Sequence, residues 1–480
     1  MTSSLPAILP EIVLLSAACA VLLLDLFLPP SRRHWSFWLT QATLLACAAI
    51  AVFTVNLEPA RHFGGLVVDD LLGDFLKFLA CLAVSAMLFY SRGYLAARDL
   101  FRGEVLVLTM LALLGMMVMI SAASFLTLYL GLELLALCLY SMVAMHRAST
   151  AASEAAMKYF VLGALASGML LYGMSMVYGA TGSLDIHRIA RVVATGQANA
   201  TILLFGLVFI VSGIAFKLGV VPYHMWVPDV YHGAPTAVTL LIGTAPKLAA
   251  FAFTLRLLGV ALAGLVFDWQ GMLIVLSLLS MILGNVVAIA QTNIKRMLAY
   301  STIANMGFML MGFLTANLSG YSAAMFYVVA YVLTSLASFG VVMLLSREGF
   351  EADRIEDFRG LNQRSPWWAF IVLLVMFSLA GVPPTLGFYA KFAVIEAAVG
   401  AGFIWLAVAA VLASLVGAFY YLRVVKVMYF EEPVDTEPLV ARGDTRVLLS
   451  ANGIALLAFG ILPQPLMGLC VVALAQSGFL

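Results

Sequence analysis

Long apolar stretches follow one another along almost the whole chain, separated by short polar joints. A helix needs about 20 apolar residues to cross the hydrocarbon core of a bilayer. By that measure the pattern predicts about fourteen transmembrane helices, at 10–28, 36–57, 71–90, 104–121, 124–145, 155–179, 201–229, 236–258, 271–291, 298–316, 321–345, 367–399, 403–429 and 447–470. The longest polar joints run from Ser346 to Pro366 and from Glu431 to Arg446. The chain therefore reads as an all-α polytopic membrane protein, a single integral membrane domain over 1–480.

Composition supports the pattern. Of 480 residues, 64% are hydrophobic and 10% charged, where a soluble domain carries about 25% charged residues. No soluble fold of this size hides so much apolar surface; lipid is the solvent that suits it. A net charge of +1 points to no nucleic-acid partner. Cys19, Cys47, Cys81, Cys138 and Cys470 are scattered through apolar runs, with no metal or disulfide spacing, and read as small packing residues.

Charge sets the orientation. Cytoplasmic loops collect Lys and Arg. With the N-terminus outside, the inner joints hold Arg32, Arg33, Arg92, Arg98, Arg102, Arg147, Lys295, Arg296, Arg347, Arg354, Arg359, Arg364, Arg423, Lys426, Arg442 and Arg446. The outer ends hold only Arg61, Arg188, Arg191 and Arg256. An even helix count places both termini outside. Glu11 before the first apolar run and Arg32 and Arg33 after it reverse the signal-peptide pattern and suit an uncleaved first helix.

Five basic residues remain, all lysines within apolar segments: Lys77, Lys158, Lys217, Lys247 and Lys391. An ionisable residue at mid-membrane costs about 2.5–3.5 kcal/mol on insertion scales and usually faces the bundle interior. Glu133, Lys217 and Lys247 lie deep in their segments, and a proton-transfer role outweighs a merely structural one. For Lys391 a snorkelling side chain competes, and for Lys158 a surface pair with Glu154 four residues back. Lys77 reads as a helix-end ion pair with Asp74. His224 and His232 are possible relays, although a lone histidine is more often structural. Tyr300 serves equally as an interface anchor or as a hydroxyl in a water chain.

Two segments look broken. Pro222 and Gly219 interrupt the seventh, and Pro383 and Pro384 the twelfth. Unwound backbone at membrane depth must be buried in protein or line a wet cavity. Paired interruptions five helices apart suggest two inverted five-helix repeats, 104–258 and 271–429, with broken helices seven and twelve. Lysine suits such a place. Burial weakens its hold on the proton and a nearby carboxylate restores it. Moving one charge against about 180 mV costs roughly 4 kcal/mol, about three tenfold steps in proton affinity. No phosphate loop, dinucleotide fingerprint, zinc signature or haem motif is present.

The stretch Lys217-Leu218-Gly219-Val220-Val221-Pro222-Tyr223-His224-Met225-Trp226-Val227-Pro228-Asp229-Val230-Tyr231-His232-Gly233-Ala234-Pro235-Thr236 resembles the signature of the antiporter-like membrane subunits of complex I, the proton-pumping NADH:quinone oxidoreductase. Pro246-Lys247 and the run from Gly381 to Phe392 resemble the N subunit rather than the L and M subunits or Mrp-type cation/proton antiporters. The likeness extends over nearly the whole chain. It implies that Glu133 and Lys217 pair in a first half-channel, that Lys247 is the central connecting lysine and that Lys391 serves the second half-channel. It implies Lys158 in a hydrophilic axis and His224 between Lys217 and Lys247. It also implies no cofactor in this chain, with NADH, flavin, iron–sulfur clusters and quinone elsewhere in the complex. The neighbours would be the M and K subunits, in a bacterial inner membrane with both termini periplasmic. Two rivals stand beside this reading: an Mrp-type cation/proton antiporter subunit, and a non-pumping structural spacer of the membrane arm.

Overall fold

A computed structural model describes residues 4–433, 439 and 441–478; part of the Glu431–Arg446 joint lies outside them. The chain is a bundle of helices. In order these are α1 (Leu9–Phe27), α2 (His34–Phe53), α3 (Leu71–Ala96), α4 (Gly103–Ile120), α5 (Phe125–Val143), α6 (Thr150–Thr181), the short amphipathic α7 (Ile186–Ala194), α8 (Ala200–Leu218), α9 (Trp226–Gly233), α10 (Thr236–Gly243) and α11 (Ala245–Thr254). There follow α12 (Val266–Ile289), α13 (Ile294–Phe313), α14 (Leu318–Leu345), the single turn α15 (Leu361–Arg364), α16 (Pro366–Ala380), α17 (Leu386–Gly400), α18 (Ile404–Phe430), α19 (Gly443–Ile461) and α20 (Gln464–Ala475). A small antiparallel hairpin, β1 (Ala60–His62) and β2 (Val67–Asp69), joins α2 to α3 with Arg61 opposite Val68.

Small polar residues end the apolar runs because their side chains satisfy the free N–H groups of the next helix. Asp70, Ser124, Ser149, Asn199, Asn293 and Asn317 each accept a hydrogen bond from the first turn of α3, α5, α6, α8, α13 and α14 respectively.

Twelve of the described helical stretches are long and apolar enough to cross a membrane. The two further crossings expected from the sequence, 298–316 and 367–399, correspond to α13 and to the α16–α17 pair. Lys295, Arg296 and Asn305 dilute the apolar run of α13, and the second is split into two 15-residue pieces. Both expected breaks are present, between α8 and α9 and between α16 and α17. A third interruption was not foreseen. The eighth segment, expected to be continuous over 236–258, leaves helical geometry at Thr244 (φ −122°, ψ −101°), then restarts as α11 and widens into a π-helical stretch, Leu255–Ala261. Of the apolar stretch in this segment 94% is buried, against 28% for the one that contains α1. The core of the bundle thus forms around α10, α11, α13 and α14, and the outer helices present apolar faces such as Leu23, Leu26 and Phe27 to lipid.

Candidate functional site

The two breaks share one construction. At the first, α8 ends on Leu218 and Gly219 takes φ +78°, a left-handed conformation that an L side chain adopts only at a cost. The N–H of Gly219 turns back to the carbonyls of Ala215 and Phe216 at 2.9 and 3.0 Å, and that of Val220 to Ala215 at 3.0 Å. At the second, α16 ends on Ala380 and Gly381 takes φ +83°. Its N–H reaches Phe377 and Ser378 at 2.9 and 3.1 Å, and that of Val382 reaches Phe377 at 2.9 Å.

Each cap leaves carbonyls at the helix end, where the backbone dipole carries partial negative charge. A lysine from another helix meets them in both cases. Lys247, on the first turn of α11, donates to the Leu218 carbonyl at 3.0 Å. Lys391, on α17, donates to the carbonyls of Leu379 (3.0 Å) and Ala380 (2.9 Å) and to the Ser414 hydroxyl on α18 (3.0 Å). The interruption at Thr244 starts a new helix beside this position, with Pro246 in its first turn, where a missing N–H costs nothing.

Lys217 and Lys247 face a shared cavity of about 40 Å³, lined also by Leu132, Tyr159, Trp226 and Pro246. A water needs only about 10–15 Å³, so the cavity is large enough to hold one. Trp226 closes one side: its indole N–H donates to the Phe216 carbonyl, and its ring stacks on Tyr159 and Phe216. A smaller cavity of about 10 Å³ lies beside Lys391, bounded by Asn305, Tyr327, Tyr331, Thr334 and Ser378.

Polar groups that the sequence reading did not single out extend from this second cavity. Thr334 bonds Ser378 at 3.1 Å, Tyr331 bonds Thr302 at 2.7 Å, and Tyr327 donates to Asn305 at 2.6 Å. Asn305 donates to Ser301, which meets Tyr421 at 2.5 Å, and the adjacent Tyr420 donates to Asn285 at 3.0 Å. Single serines, threonines and tyrosines in apolar helices give no signal in sequence; only their convergence does.

Other expected positions are more scattered. Glu133 on α5 is half-buried; its Oε1 is buried with no hydrogen-bond partner. Glu133 and Lys217 feel each other electrostatically, yet no ion pair joins them among the described residues. Lys158 lies at the rim of the bundle, 2.8 Å from Glu154 and 2.7 Å from Asp229, which also binds Arg296 at 2.9 Å. That cluster ties α6, α9 and α13 together. His224 occupies the turn before α9, half-buried, and is not among the residues lining the cavity between Lys217 and Lys247. His232 stands 3.9 Å from Asp353. Tyr300 is half-buried on α13. Lys77 pairs not with Asp74 but with Glu11 on α1, at 2.6 Å.

A latch holds the joint between α9 and α10. Lys295 donates to the Ala234 carbonyl at 2.8 Å. Glu351, in the loop after α14, accepts from the Thr236 hydroxyl, from Tyr94 at 2.9 Å and from Arg98 at 2.5 Å. Burial pushes the Glu351 carboxyl up, but the Lys295 charge, the Thr236 hydroxyl, Arg98 and Tyr94 outweigh it and hold the group below the usual carboxylate range.

Residues 122–417 match the transmembrane family described as NADH:quinone oxidoreductase/Mrp antiporter. The NADH-quinone oxidoreductase subunit N of Thiobacillus denitrificans is 59% identical over 98% of this chain and 97% of its own. The subunit N of Herminiimonas arsenicoxydans is 58% identical over 98% of each. The chain belongs to the subunit N family of NADH-quinone oxidoreductase. A chain of respiratory complex I from Thermus thermophilus superposes with a TM-score of 0.82 at 32% identity, covering 96% of this chain and 98% of that one. A chain of the Mrp complex from Dietzia reaches a TM-score of 0.87 at 22% identity, over 99% and 97%; that likeness concerns the fold alone.

Proposed function

We propose that this chain is a proton-translocating membrane-arm subunit of a bacterial NADH:quinone oxidoreductase, coupling distant NADH-to-quinone electron transfer to proton movement. The observation that carries the reading is the repeated break-and-lysine unit. Lys247 and Lys391 each hold a proton-bearing nitrogen against the open end of a half-helix, beside a cavity. Lys217 shares the first cavity, and Glu133 supplies a carboxylate charge that acts on it. Lys158 and His224 belong to the flanks of this path. The matching caps at Gly219 and Gly381 favour two inverted five-helix repeats, 104–258 and 271–429; the excess of Lys and Arg in the inner joints favours fourteen crossings with both termini on the periplasmic side. NADH, flavin, iron–sulfur clusters and quinone belong to other parts of the complex, and the M and K subunits are the expected neighbours in the inner membrane.

The test uses the assembled complex in inverted membrane vesicles. Lys247→Ala and Lys391→Ala are expected to assemble and to lose NADH-driven proton pumping. Full pumping by both variants would mean that the chain is a spacer. Affinity purification in mild detergent separates the other rival: recovery without NADH:quinone oxidoreductase activity or partner subunits would favour an Mrp-type cation/proton antiporter.

A further inference from the structure

At the end of the bundle that carries the N-terminus lies a second set of buried ionisable groups. Lys77, two turns into α3, is 2% exposed. Its ammonium lies 2.6 Å from Glu11, on the first turn of α1. Asp74 sits one turn before Lys77 and is 6% exposed. Both oxygens of Glu11 and Oδ2 of Asp74 are buried, and none accepts a hydrogen bond beyond the Lys77 contact.

The groups facing this trio come from every neighbouring element. Asp70 accepts from the Gly73 N–H and from Arg256, on the π-helical continuation of α11, at 3.1 Å to each oxygen. Asp69 at the end of β2 accepts from Asn56 at 2.5 Å and lies 4.0 Å from His62. The thiols of Cys47 on α2 and Cys81 on α3 adjoin the trio, and the Ser477 hydroxyl accepts from the Leu72 N–H. Glu11, Asp69, Asp70 and Asp74 are four carboxyls; Lys77 and Arg256 are two cations. Even a charged His62 leaves one negative charge in excess. A buried unpaired carboxylate is costly, and the cheapest relief is to keep a proton. Asp69 and Asp70 have their own donors and Glu11 has Lys77, which leaves Asp74, whose buried Oδ2 accepts no hydrogen bond among the described residues, as the carboxyl without a partner.

We infer that Asp74 and the Glu11–Lys77 pair beside it form a proton-holding site on the outward route from Lys247. Its ligand is a single exchangeable proton. The site stands at the outer end of α3, which packs on α10 and α11, and the helix carrying Lys247 runs on to the Arg256 that binds Asp70. The inference rests on the pumping role and orientation proposed above.

The experiment follows the assembled complex in inverted vesicles, reading its amount, the protons pumped per NADH oxidised, and the pH profile of pumping. Asp74→Asn removes a proton site and leaves the Glu11–Lys77 pair intact. It is expected to assemble, to pump fewer protons per NADH and to lose one limb of the pH profile. A wild-type yield and profile would overturn the inference. Glu11→Gln combined with Lys77→Met removes one charge of each sign at nearly constant volume. It gives the same loss if the site carries protons, and a wild-type profile if the pair is only a strut; it decides the matter if Asp74→Asn does not assemble. Lys247→Ala run alongside separates the two readings. Normal pumping there sinks the pumping role itself, whereas loss there with normal Asp74→Asn behaviour sinks only the outer site.

Discussion

An ammonium offers three N–H donors, and the two capping lysines spend them differently. Lys391 has three partners: two carbonyls and the Ser414 hydroxyl. Lys247 has one hydrogen bond, to Leu218, and otherwise faces the cavity it shares with Lys217. Lys247 is therefore the more available for exchange, and Lys391 the more firmly held. Lys247→Ala is expected to lower the pumping rate about a hundredfold, the low end of what a positioned acid–base group contributes, measured in vesicles at matched complex content. Ser414→Ala removes one hydrogen bond to a charged group and should destabilise the protein by about 1.5–3 kcal/mol, seen as a lower thermal midpoint of the purified complex. The charged residues at this scale were legible, because lysine inside an apolar run stands out. Ser414 was not, since a serine in a helix such as α18 is ordinary until its neighbours are known. Glu11 was read only as a negative charge before the first apolar run, because nothing local shows that α1 lays it against α3.

At the scale of elements, glycine and proline announced the breaks after Leu218 and Ala380 because each changes what the backbone can do without help from tertiary structure. The interruption at Thr244 lies between Gly243 and Pro246, yet Gly243 does not take the left-handed conformation of the two cap glycines, so the same residue types act differently there. Thr244 carries the irregular backbone, and Pro246 fits the first turn of the helix that follows. A proline read as lying inside a helix was in fact near the start of one. The two cap glycines predict different failures. Gly219→Ala places a Cβ 2.7 Å from Val227 Cγ2 at positive φ, and the left-handed conformation alone costs roughly 1–2 kcal/mol; reduced yield of assembled complex is the expected sign. Gly381→Ala places a Cβ 2.8 Å from Lys391 Cδ. Gly381 shares the backbone cost at φ +83°, but the flexible lysine can move aside where Val227 cannot, so more complex should assemble than in Gly219→Ala while Lys391 leaves its carbonyls and pumping per complex falls. Equal loss of yield in both variants would refute that distinction.

On the scale of the whole molecule, the loop after α14 reaches across the bundle through Glu351 to α3 and to the start of α10. The folded state holds the Glu351 carboxyl below its ordinary value, so it stabilises the fold above the unfolded-state carboxyl range and loses that contribution as pH falls through the folded value. Thermal unfolding of the purified complex should therefore show an acid-side decline that is shallower in Glu351→Gln than in the wild type. The sequence pattern placed the apolar crossings well, and it could not show this cross-linking, which depends on residues far apart in the chain. The packing of α14 has a further consequence, for biogenesis. This helix is surrounded by α3 from the first part of the chain and by α19 and α20 from the last, and the α3 N–H of Leu72 is bonded to Ser477 beyond α20. Insertion can proceed helix by helix, but the interior cannot close until the ribosome has released the residues after Gly443. Until then α14 waits with part of its surface uncovered, and any membrane protease that samples unfinished chains has its longest opportunity there.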